Sequence, residues 1–86
     1  MKVIFYSGVL AYTDGEKFFE AEDCSAMRDL IDKLAGRFGE RFREFILGDE
    51  TCFFLVNGKG IMKTGGLDTP LHPGDKVEVL PFAGAG

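Results

Sequence analysis

Few residues in this chain are of a type that performs chemistry, and their spacing excludes most of what they could do. Cys24 and Cys52 lie far apart with no CxxC and no histidine near either, so neither a zinc-knuckle nor a thioredoxin-type spacing is present. Cys52 opens the apolar run Cys52-Phe53-Phe54-Leu55-Val56 and reads as a small core hydrophobe. Cys24 precedes a helix start, where a helix dipole could stabilise a thiolate, but a free, inert thiol is the preferred reading. His72 sits between Leu71 and Pro73 and reads as a surface turn residue rather than a base. Gly65-Gly66 lacks the Lys-Ser/Thr of a phosphate loop, and the acidic pairs Asp14/Glu16 and Asp49/Glu50 lie in turns without an EF-hand spacing. No nucleophile with its base, no metal cluster and no catalytic residue is expected.

One group remains, at the end of the sequence. Gly84, Ala85 and Gly86 follow a chain that otherwise spends its residues on Phe and Leu. Such a terminus is thin enough to enter a narrow cleft in a partner, and glycine lets backbone approach backbone. A free α-carboxylate on a slender arm is a chemical handle; a frayed end of small residues is the alternative.

The elements that would carry this handle are short. Lys2 to Ser7 and Glu16 to Glu22 are rich in β-formers and flank the turn residues Thr13-Asp14-Gly15, which predicts an N-terminal hairpin. Met27, Leu30, Ile31, Leu34 and Phe38 form one apolar stripe on a helix of three to four turns, with Ser25 as N-cap and Gly39 as the stop. Phe42, Phe45 and Ile46 mark a second short helical turn closed by Gly48-Asp49, which folds Phe42 or Phe45 back onto the domain. Thr51 to Asn57 reads as a central strand covered on both sides, with Asn57-Gly58 as a turn. Ile61-Met62-Lys63 reads as a short edge strand, and Lys76 to Leu80 alternates strictly as the last strand after the turn Pro73-Gly74-Asp75.

Strands bracketing one main helix predict an α+β domain: a mixed sheet of four to five strands, the helix on one face, and the first and last long strands parallel at its centre. Residues 1–81 form the domain and 82–86 a mobile tail. If Val77 and Val79 point at the helix, Leu80 faces outward, and Ile4 and Tyr6 join it on an apolar face suited to a partner protein, with Phe82 contributing from the tail.

Composition narrows the partners. At 86 residues the chain has room for one domain, and nine Phe predict an aromatic-rich core. Ten Lys plus Arg against fourteen Asp plus Glu give net −4, and the arginines from 37 to 43 are interrupted by Glu40, so DNA and RNA are not expected partners. Neither a signal-peptide pattern nor an apolar run of membrane-spanning length occurs, which predicts a cytoplasmic protein.

Three pieces of sequence, in order, carry a resemblance: Val56-Asn57-Gly58, then Leu71-His72-Pro73-Gly74-Asp75-Lys76-Val77, then Leu80-Pro81 with a glycine-ended terminus. They resemble the MoaD/ThiS family of ubiquitin-like sulfur carriers, particularly the small subunit of molybdopterin synthase. The resemblance implies a β-grasp fold. It also implies that Gly86 is adenylated with ATP by a partner similar to ubiquitin-activating enzymes, then converted to a thiocarboxylate. Gly84 and Ala85 would thread the terminus into that partner, and the sulfur would pass to a molybdopterin synthase large subunit or an equivalent acceptor enzyme. Two positions depart from the family's ending: its second proline falls on Phe82 and its penultimate glycine on Ala85. A protein modifier forming isopeptides through the same glycine, and a binding-only module with an inert tail, are the competing readings.

Overall fold

Alternation in Lys2-Val3-Ile4-Phe5 sends Val3 and Phe5 to one side of a strand, and both are buried in the computed structural model, which describes residues 1–47 and 52–81. This strand, β1 (Lys2–Phe5), pairs antiparallel with β2 (Phe18–Glu20), so the N-terminal hairpin exists with a shorter second strand than the composition suggests. Its connection holds an element not anticipated from the sequence, a 3₁₀ turn over Ser7–Tyr12. Val9 drives that turn into the core, where it is fully buried. The buried Thr13 closes the loop by donating its hydroxyl to the Glu16 carbonyl at 2.8 Å.

Helix α1 (Met27–Phe38) carries the predicted stripe, with Met27, Leu30, Ile31 and Leu34 all buried. Its N-cap is Ala26 rather than Ser25. Alanine has no capping atom, and the Asp29 carboxylate instead accepts the backbone N–H groups of Ser25 and Ala26, each at 3.0 Å. Gly39 ends the helix as expected, at a φ of 99° that an L side chain disfavours. The chain turns at once into α2 (Glu40–Leu47), which buries Phe42 completely and Ile46 nearly so. Phe5 meets the rings of Phe38 and Phe42 edge-on, with centroids 5.6 and 6.0 Å away, so the core is aromatic where the two helices meet the sheet. Gly48 and Asp49 lie outside the described residues.

Strand β3 (Cys52–Val56) buries Phe54 and Val56, but Leu55 on the opposite side stays half-exposed. No element among the described residues covers that second face, contrary to the reading from its apolar run. Edge strand β4 is Lys59–Gly60, two residues earlier than predicted. Ile61–Lys63 leaves the sheet as a 3₁₀ turn, with the Thr64 N–H donated to the Ile61 carbonyl. Strand β5 (Lys76–Pro81) runs parallel to β1 and antiparallel to β3, and the five-stranded order is β2-β1-β5-β3-β4. The last strand is thus the middle one, with Val77 and Val79 wholly buried beneath the helices.

Candidate functional site

Because β5 alternates, the side chains that Val77 and Val79 do not occupy point to the uncovered face. Lys76, Glu78 and Leu80 lie there, in register with β1 on one flank and β3 on the other. Glu78 pairs with Ile4 and with Leu55, and Ile4 pairs in turn with Phe18 of β2. Phe18 is 54% exposed and Tyr6 37%, while Ile4, Leu55 and Leu80 are half-buried. Ile4, Tyr6 and Leu80 therefore share one face, as expected; Phe82 lies outside the described residues.

The face has members that the sequence reading passed over. Alternation along β5 already placed Glu78 between Lys76 and Leu80, and the same rule applied to β2 and β3 would have added Phe18 and Leu55. At the centre, the Tyr6 hydroxyl donates to Glu78 Oε2 at 2.7 Å, which pushes the phenol above its usual range. Lys2 stands 4.6 Å over the Phe18 ring and Lys76 lies 4.0 Å from Glu78 Oε1, giving the face a charged border where β5 begins, which Glu20 opposite Lys2 shares.

Two turns fix the direction of β5. Asn57, at a φ of 52°, donates its side-chain amide to Asp75 Oδ1 at 2.9 Å and accepts the Lys76 N–H at 3.0 Å. Asp75 Oδ2 accepts the His72 N–H at 2.9 Å. The Asn57 amide, and then the His72 backbone, hold the Asp75 carboxyl below the usual carboxylate range. Both internal pieces of the family resemblance thus meet in one clasp at the start of β5. The strand ends at Pro81, five residues before Gly86. Gly84, Ala85 and Gly86 lie outside the described residues, and so does the expected mobility of the tail.

Of the other chemistry-bearing groups, Cys24 and His72 are accounted for locally, while the Cys52 side chain lies outside the described residues. Burial pushes the Cys24 thiol up, with Lys33 pulling the other way, and its Sγ lies 3.6 Å from the Glu22 carbonyl; it is a core thiol. His72 is an exposed turn residue whose ring nitrogen lies 3.6 Å from Asp75. Among the described residues no group of His, Cys, Asp and Glu could hold a metal ion. No helix among them is long and apolar enough to cross a membrane. Arg37 pairs with Glu16, Arg43 with Asp32 and Glu40, and Arg41 lies over the Tyr12 ring, so these arginines form no open basic patch.

Residues 4–86 match the family model described as ThiS family. Among solved structures, a chain of the Amycolatopsis orientalis BexX/CysO complex is 23% identical, covering 99% of this chain and 98% of that one, with a TM-score of 0.80. The small archaeal modifier protein 1 of Methanosarcina acetivorans is 22% identical over 99% and 94%, with a TM-score of 0.79. A candidate molybdopterin converting factor, subunit 1, from Pyrococcus furiosus is 27% identical over 93% of both chains, with a TM-score of 0.69. No curated protein matches the chain.

Proposed function

The chain belongs to the ThiS family of ubiquitin-like β-grasp sulfur carriers, and from that premise we propose that its C-terminal Gly86 is the group that carries sulfur. The observation carrying this reading is the family match through residue 86, which includes the terminal segment rather than the domain alone. The chemistry is that of a carboxylate the domain does not activate itself. In an adenylyltransferase of the ubiquitin-activating type, the Gly86 carboxylate attacks the α-phosphorus of ATP, releasing pyrophosphate and forming an acyl-adenylate. A persulfide sulfur then attacks the carbonyl carbon and AMP leaves. A thiol reduces the resulting acyl disulfide, leaving C(=O)–S⁻ on Gly86 for an acceptor enzyme.

The domain contributes recognition and reach. Its central strand points the terminus away from the clasp at Asn57 and Asp75, and the uncovered face beside that strand is the surface on which the partner docks, through Ile4, Tyr6, Leu80 and Phe82. Gly84 and Ala85 thread Gly86 toward the ATP site. Molybdopterin is the product we assign, supported by the turn motifs at Val56-Asn57-Gly58 and Leu71 to Val77 and by the likeness to the Pyrococcus furiosus protein. A molybdopterin synthase large subunit is then the acceptor, and the cycle runs in the cytoplasm. Pyrophosphate exchange into ATP, measured with the adenylyltransferase of the same genome, tests the first step. Exchange that depends on this protein supports the reading, and its absence removes it. Conjugates on lysines of other proteins would assign the chain to the modifiers instead.

A further inference from the structure

Inside its charged border the uncovered sheet face is apolar except at its centre, and the exception limits what can cover it. Glu78 sits between Ile4 and Leu55 across the strands, with Phe18 one strand further and Leu80 two residues along β5. Its side chain is only 17% exposed. One carboxylate oxygen, Oε2, accepts the Tyr6 hydroxyl at 2.7 Å. Among the described residues the other, Oε1, has only the Lys76 ammonium at 4.0 Å, beyond hydrogen-bonding distance, and Lys76 is itself more than half exposed. In the free protein, water can reach Oε1 through that gap.

A partner laid on this face removes that water. An apolar surface would leave Oε1 desolvated without a donor, which opposes binding, whereas a guanidinium can approach Oε1 with two N–H donors and match the charge. The border lysines, Lys2 and Lys76, lie toward the start of β5, so among the described residues an approach over Leu80, at the other end of β5, keeps away from their like charge. We infer that Glu78 is a specificity-determining residue of the docking face, and that the partner presents an arginine centred in an apolar patch. The arginine bonds Glu78 Oε1 while its neighbours cover Ile4, Leu55 and Leu80. The inference rests on the carrier reading for the identity of that partner, the adenylyltransferase.

Glu78→Gln tests it, because the amide oxygen can still accept the Tyr6 hydroxyl while the negative charge is gone. The adenylyltransferase of the same genome is titrated with wild type and variant by calorimetry at several salt concentrations, and the thermal midpoints of both proteins are recorded. The expected result is binding weakened about tenfold or more with a reduced salt dependence. In pyrophosphate exchange, KM should rise while kcat holds, since the lost charge acts in docking and not on the reacting carboxylate of Gly86, eight residues further along the chain. Glu78→Lys should weaken binding further, and an arginine-to-glutamate change at the partner's contact should restore it. Glu44→Gln, which removes the same charge from an exposed position on α2 away from the sheet face, serves as a second variant and should bind within a few-fold of wild type. Equal or tighter binding by Glu78→Gln, at an unchanged midpoint, overturns the inference while leaving the carrier reading intact if exchange proceeds. No exchange and no binding with wild type overturns both.

Discussion

The Asn57 side-chain amide lies 2.9 Å from the Asp75 carboxylate, and this one hydrogen bond ties the turn after β3 to the turn before β5. With the Lys76 N–H on the Asn57 side-chain oxygen and the Asn57 N–H on the Lys76 carbonyl at 2.8 Å, the two turns act as a single clasp. Its consequence is positional: it sets where the central strand starts, and therefore the direction in which the strand carries the terminus.

Replacing Asn57 with Ala should cost about 1–3 kcal/mol, because it leaves the Lys76 N–H and one Asp75 oxygen without their partners. Part of that cost depends on pH. Asp75 has a folded pKa below its unfolded value, so its contribution is present above the unfolded carboxylate range, near pH 4, and is lost as pH falls through the depressed folded value. Denaturant unfolding of both proteins from neutral to acid pH should show the stability gap narrowing at the acid end. A gap that widens on acidification contradicts the assignment.

Leu30→Ala should destabilise the domain by about 2–5 kcal/mol, since Leu30 is fully buried between α1 and the sheet. Phe42→Ala removes a ring packed against both Phe5 and Phe38 and should cost about 3–5 kcal/mol. Urea midpoints check both. A loss below 1 kcal/mol at Phe42 would show that α2 does not complete the core.

Leu80→Lys should leave stability within about 1 kcal/mol of wild type, because the side chain is half-buried on the uncovered face. The same change should weaken binding to the adenylyltransferase. Thermal melting and a binding titration on one preparation separate the outcomes, and a loss of stability as large as the loss of binding would make Leu80 a core residue.

Much of this was legible because the periodic segments are unambiguous. The 3,1,3 spacing from Met27 to Leu34 fixed a helix and its buried face, and the alternation from Lys76 to Leu80 fixed a strand and its two faces. What escaped was set by partners distant in sequence. The strand at Ile61–Lys63 failed because only Lys59 and Gly60 reach β3, after which the chain closes a local 3₁₀ turn. Ser25 lost the cap to Asp29, whose carboxylate satisfies two N–H groups at once. The 3₁₀ turn at Ser7–Tyr12 depends on Val9 finding the core, a tertiary effect that local propensity does not contain. At the site, Asn57 and Asp75 each read as a turn residue, and nothing in their separate motifs announced that they bond to each other.

Ala85→Gly removes one methyl group next to the reacting terminus and restores the ending usual in the family. The variant should be adenylated at least as fast as wild type in pyrophosphate exchange. A marked loss of rate would show that the partner is built around the alanine methyl rather than merely tolerating it.

The most direct test of the carrier account is intact-mass and fragment-ion analysis of the protein after incubation with its adenylyltransferase, ATP and a persulfide donor. The account predicts exchange of one oxygen for one sulfur, located on Gly86 and absent when Gly86 is deleted or one residue is added after it, while the melting curves of all three proteins coincide. An unchanged mass in wild type alongside an active adenylyltransferase, or sulfur found on Cys24 or Cys52 in place of Gly86, would contradict it.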